Sequence, residues 1–96
     1  MKTLTKEAAV ATLVRLYTKR LHALNAKGLR GEFAAIFGEE TPATRAETID
    51  ELVRDYEEWI GSLEPLELEA VWEDQEGVAV RITDASEIRQ LRRKVA

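Results

Sequence analysis

One histidine, two serines and no cysteine leave this 96-residue chain little of the usual catalytic inventory. His22 is the only imidazole available as a general base. Helical spacing puts it on the polar side of an amphipathic stretch, with no nucleophile beside it. Ser62 and Ser86 lack the strained glycine-flanked turn that exposes a nucleophilic hydroxyl, and no glycine-rich loop is present to cradle phosphate. The absence of cysteine excludes disulfides, thiolate chemistry and Cys-based zinc sites. Carboxylates are abundant, so a metal or paired-acid site must be weighed. Glu73-Asp74-Gln75-Glu76 offers oxygens to a calcium ion but lacks the alternating spacing of an EF-hand loop. A glycosidase acid pair needs a large cleft to hold its sugar, which a chain of this length has little room to build. The expectation is a protein with no catalytic residues, no metal and no cofactor, acting by binding.

Composition and charge narrow the kind of binding. The chain is 45% hydrophobic and 33% charged, which is globular rather than disordered. No apolar run reaches the roughly 18 residues that span a bilayer, so no membrane partner is expected. The start, MKTLTKEAAVATLV, lacks a secretory apolar core. Without cysteine, the expected setting is cytoplasmic. The net charge of −4 hides a segregation. Residues 1–31 carry seven bases against one acid, residues 32–87 carry three bases against seventeen acids, and residues 88–96 carry four bases. Such blocks produce fields that steer charged partners.

The elements that must position these charges follow from periodicity. Val10, Leu13, Val14, Tyr17, Leu21 and Leu24 form a helical stripe over about 5–24, with Thr5 as N-cap and Arg15, Lys19 and His22 opposite. Leu29, Phe33, Ile36 and Phe37 mark a second helix over about 27–37, stopped by Gly38. Thr44 and Glu47 have capping-box spacing ahead of a third helix over about 45–63, striped by Ile49, Leu52, Val53, Tyr56, Ile60 and Leu63, with Trp59 at the stripe's edge. The period then shortens to two. LELEAVW and GVAVRIT, separated by EDQEG, predict a β-hairpin, with Glu67 and Glu69 on its solvent face. Asp84 and Glu87 open a short basic C-terminal helix striped by Ile88, Leu91 and Val95. The predicted fold is α+β in the order α-α-α-β-β-α, with residues 1–96 as a single domain. Packing is expected to account for all six aromatics, with Tyr17, Phe33, Phe37, Tyr56 and Trp72 on buried faces and Trp59 flanking one, which leaves no stacking platform for single-stranded nucleic acid.

Residues 27–60 also carry a pattern. Leu29-Arg30-x-x-Phe33-x-x-Ile36-Phe37-Gly38-Glu39-Glu40-Thr41, followed by Arg45, Ile49, Leu52 and Val53, resembles the helix–extended-loop–helix unit of SAP-like and HeH-like nucleic-acid-binding modules. LRGEFAAIFGEET is also similar to a small bacterial and phage family of unknown function with a Leu-Arg-x-x-Phe…Phe-Gly-Glu run. The resemblance implies DNA contact through the loop and the start of the third helix, where Arg45 sits and backbone N–H groups attract phosphate. Lys27, Arg30 and the Arg15/Lys19 face of the first helix would add phosphate contacts. Glu39, Glu40 and the acidic outside of the third helix depart from that pattern, because they repel phosphate. The alternative inverts the charges. Glu47, Glu51, Asp55 and Glu58 would take a basic protein partner, in the manner of small acidic phage-type inhibitors such as anti-restriction and anti-CRISPR proteins. A third reading is a homo-oligomeric adaptor whose basic C-terminal helix docks on a neighbour's acidic face.

Overall fold

The computed structural model of the chain describes residues 1–38, 42 and 44–84. In order they form β1 (Lys2–Thr5), α1 (Lys6–Ala23), α2 (Ala26–Phe37), α3 (Arg45–Gly61), α4 (Pro65–Glu76) and β2 (Val80–Thr83). This corrects the expected α+β layout of three helices, a β-hairpin and a terminal helix. The described residues are mostly helical, with four helices and one short two-stranded parallel sheet. The expected C-terminal helix and most of the connector after Gly38 lie outside the described residues.

The hairpin fails for a physical reason. Leu66, Leu68, Ala70 and Trp72 do alternate, but Leu68, Val71, Trp72 and Gln75 also fit one face of a helix. The ends decide between the two periods. Glu64 is the N-cap and Pro65 stands in the first turn, where its missing N–H costs nothing. The Glu64 N–H donates to the Glu67 carboxylate at 3.0 Å in a capping box. Gly77 closes the helix with φ 75°, and its N–H donates to the Glu73 carbonyl. Leu68 is fully buried and Leu66 is 79% exposed, a split that a strand with one buried face does not allow. Glu73, Asp74 and Glu76 are therefore residues of a helix rather than of a calcium-binding turn.

The second half of the expected hairpin is a strand with a different partner. Val80–Thr83 pairs parallel with Lys2–Thr5, in the register Lys2↔Val80 through Thr5↔Thr83. Val80 and Ile82 are buried while Arg81 is exposed, the period of two expected of a half-covered strand. Burying each aliphatic side chain contributes about 1.5–3 kcal/mol. β1 has four residues and three of them are exposed, too short a run for alternation to announce it.

The chain divides into two compact units. Among the described residues, one comprises Met1–Leu13 and residues 60–84. In it α4 packs against β2, and Ala9, Leu13, Ile60, Leu68, Trp72, Val80 and Ile82 are buried. The Trp72 indole N–H is buried without an acceptor among the described residues, an arrangement that costs about 1–3 kcal/mol. The other unit is Val14–Trp59. Among its described residues the buried hydrophobic side chains are Tyr17, Leu21, Leu29, Phe33, Ile49, Leu52 and Tyr56. Tyr17 stacks on Tyr56 with ring centroids 4.1 Å apart and planes at 18°. Its hydroxyl donates to the Glu32 carboxylate at 3.1 Å, tying α1 to α2. Burial first, and then the Glu32 carboxylate, hold the Tyr17 hydroxyl well above the ordinary tyrosine range.

Local caps set where these helices begin. Thr5 accepts from the Ala8 N–H at 3.1 Å at the start of α1. Asn25 caps α2 by accepting from the Gly28 N–H at 2.8 Å. A Cβ at position 28 would stand 3.3 Å from that amide oxygen, which is why glycine suits the site despite its helical cost. Gly38 ends α2 with φ 69°. Thr44 accepts from the Glu47 N–H at 3.2 Å at the start of α3.

Candidate functional site

Two features of the Val14–Trp59 unit are candidates for binding, and they carry opposite charge.

The first is the outer face of α3. Its buried stripe of Ile49, Leu52, Tyr56 and Ile60 turns the charged positions outward. Glu47, Glu51 and Glu58 are exposed and Asp55 is half-buried. Their spacing of four, four and three residues keeps them on one line, and at 1.5 Å per residue that line is roughly 16 Å long. Asp50 and Glu57 flank it, and Arg54 is the one base within this outer face. Trp59 lies at its far end, 47% exposed, with its ring edge-on to Tyr56 at a centroid distance of 5.9 Å. This exposure amends the expectation that packing accounts for the aromatics. A single half-exposed indole beside a line of carboxylates is suited to a protein contact. Tryptophan anchors interfaces through its large rigid surface, and its ring face attracts cations.

The second is a cleft of about 190 Å³ at the joint of α2 and α3. Ala26, Leu29 and Arg30 line it from α2. Pro42, Thr44, Arg45 and Thr48 line it from α3 and its approach. Thr48 is buried, and its hydroxyl donates to the Thr44 carbonyl at 2.9 Å, so it is committed to the helix. Arg45 has a role that spacing did not announce. Its Nη2 donates to the Leu24 carbonyl at 2.6 Å and to the His22 carbonyl at 3.0 Å, and stands 3.4 Å from the Leu21 carbonyl. Nη2 carries two hydrogens, so the two shorter contacts are the bonds proper. These carbonyls belong to the last turn and exit of α1, where the helix leaves its acceptors unsatisfied and its dipole negative. Arg45 therefore caps the end of α1 from the start of α3.

The basic residues anticipated for nucleic acid are only partly brought together. Arg30 and Arg45 share the cleft, and Lys27 is exposed one turn before Arg30 on α2. Arg15 and Lys19 are exposed elsewhere. Each lies two residues from Tyr17, about 200° around α1 from the side chain that meets Glu32 and Tyr56. They form a separate outward stripe with His22, which is also exposed. The four acidic residues of the alternative do fall on one line. The connector residues 39–41 and 43, which carry Glu39 and Glu40, lie outside the described residues.

Among the described residues there is no group of three or more histidines or acids placed to hold a metal. Among them, too, no helix is long and apolar enough to cross a membrane. No family model, curated protein or solved structure matches the chain.

Proposed function

We propose that this chain is a non-catalytic binding protein that uses the outer face of α3 to take a basic protein surface. The observation that carries the reading is Trp59, 47% exposed at the end of the line Glu47, Glu51, Asp55 and Glu58. The carboxylates supply long-range attraction and orientation for a cationic partner. The indole supplies the apolar and cation–π contact that gives such an encounter a residence time. The same face repels phosphate. A cytoplasmic setting fits a chain without cysteine.

The reading is tested with a defined probe, an arginine-rich peptide of about ten residues, titrated against the chain while tryptophan emission is followed. Wild type responds through Trp59, the response disappears in W59F, and binding weakens with added salt. The double reversal E51K/D55K weakens binding about tenfold or more, whereas the equal reversal E73K/D74K on α4 leaves it within about twofold. Equal losses in the two reversals would reduce the effect to net charge and overturn the reading, as would no binding at all.

A second reading, nucleic-acid association, is favoured by one observation: Arg30 and Arg45 line the same cleft, with Lys27 a turn away. Phosphate contacts of this kind weaken steeply with salt, and a mobility shift at low salt tests them. K27E/R30E abolishes the shift on this reading, and an unchanged shift refutes it.

A further inference from the structure

We infer that the α2–α3 cleft is a site for one compact oxyanion, a phosphate group, held between Arg30 and Arg45. The inference is independent of the α3 face and sharpens the second reading by naming the group the cleft takes. It starts from the composition of the walls. Two guanidinium-bearing residues line about 190 Å³, and among the described residues no carboxylate lines it with them. Two like charges around one small space repel, and an anion between them removes the repulsion and gains two attractions.

Arg45 is also prepared for the task. Its Nη2 hydrogens are taken by the Leu24 and His22 carbonyls, which fix the plane of the guanidinium. Three of its five N–H donors, on Nη1 and Nε, are not part of that clamp. A guanidinium already ordered by the fold loses little further freedom when it binds, and its planar fork matches two oxygens of a phosphate. Arg30 lines the cleft from α2 and is the second cation among its lining residues. Side-chain cations, rather than the first-turn amides of α3, supply the field. The volume lies below the roughly 300 Å³ at which pockets for drug-sized ligands begin, so size selects a compact group. Leu29, Ala26 and Pro42 give the cleft apolar walls, which limit the water competing for the same donors.

Such a group can arrive free or as part of a nucleotide chain, and one experiment separates the sources. Amide resonances of the full chain are followed during titration with inorganic phosphate, with sodium chloride at matched ionic strength, and with a short single-stranded oligonucleotide. Phosphate is expected to move Arg30, Thr44, Arg45 and Thr48 while matched chloride does not. R30Q, which leaves the Arg45 clamp intact, is expected to weaken the phosphate response at least tenfold. If the oligonucleotide moves the same four resonances and competes with inorganic phosphate, the source is a nucleotide chain. If it has no effect, the source is a free phosphate, and the nucleic-acid reading fails while the oxyanion site stands. A phosphate response no larger than that of chloride overturns the inference. So does one unchanged in R30Q, and so does oligonucleotide binding without any inorganic phosphate response.

Discussion

Replacing Arg45 by alanine removes a clamp between two helices, and the size of the loss follows from its geometry. The side chain makes two good hydrogen bonds, 2.6 Å to the Leu24 carbonyl and 3.0 Å to the His22 carbonyl, and one marginal contact of 3.4 Å to the Leu21 carbonyl. Hydrogen bonds from a charged donor are worth roughly 1.5–3 kcal/mol when buried. The two good ones are exposed, and their carbonyls rehydrate when the arginine goes, so about 0.5–1 kcal/mol each is the appropriate scale. The cation at the negative end of α1 adds about 0.3–1 kcal/mol. The total is about 2 kcal/mol. For a chain of this size that lowers the melting temperature by about 10 °C. R45K keeps a point charge but not the fork, and recovers about half. R45E is worse than alanine, because it turns a carboxylate toward the carbonyls of α1. Thermal unfolding followed by far-UV circular dichroism measures all three. An R45A melting temperature within about 3 °C of wild type would refute the clamp. One corollary concerns binding assays: a charge reversal at Arg45 perturbs the fold along with any anion site, so Arg30 is the cleaner position to change.

The remaining predictions are simpler. Y17F removes the hydrogen bond to Glu32 at 3.1 Å and costs about 1–2 kcal/mol near neutral pH in urea unfolding. Because the folded state holds the Tyr17 hydroxyl above its ordinary value, wild type keeps this contribution below about pH 10 and loses it as pH rises further, since the unfolded chain ionises first. The stability gap between Y17F and wild type therefore narrows in alkali, and a gap independent of pH would contradict it. L68A costs about 2–5 kcal/mol and L66A less than about 0.5 kcal/mol, as calorimetry of the two variants would report. Equal costs would restore the strand in place of α4. G31A, at a helical position with open space where its Cβ would stand, stabilises by about 0.5–1 kcal/mol. G77A, at φ 75°, destabilises by about 1 kcal/mol, so the two glycines should move the melting temperature in opposite directions.

The buried faces of α1, α2 and α3 could be read from spacing in part: Leu13, Tyr17 and Leu21, then Leu29 and Phe33, then Ile49, Leu52, Tyr56 and Ile60 recur at the helical period and are buried, whereas Leu24 and Ile36, expected on the same stripes, are exposed. The layout beyond them could not. LELEAVW satisfies both periods, and the arbiters were end signals: Glu64-Pro65 and Glu67 at the start, Gly77 at the stop. β1 escaped because a four-residue strand has no period to show, and its partner Val80–Thr83 stands at the opposite end of the described chain. The acidic line of α3 was legible, being a property of one helix. The Arg45 clamp and the cleft were not, since each depends on where a second helix ends or begins in space. Spacing puts Trp59 at a stripe's edge, and its exposure is settled by packing.

The most direct test of the account maps the surfaces residue by residue. Amide chemical shifts are recorded with the arginine-rich peptide added to the full chain. The account predicts that the largest changes fall on Glu47, Glu51, Asp55, Glu58 and the Trp59 indole, with Arg30 and Thr48 unmoved. Changes centred on α1 or on the α2–α3 cleft, or spread evenly over all acidic residues, would contradict it.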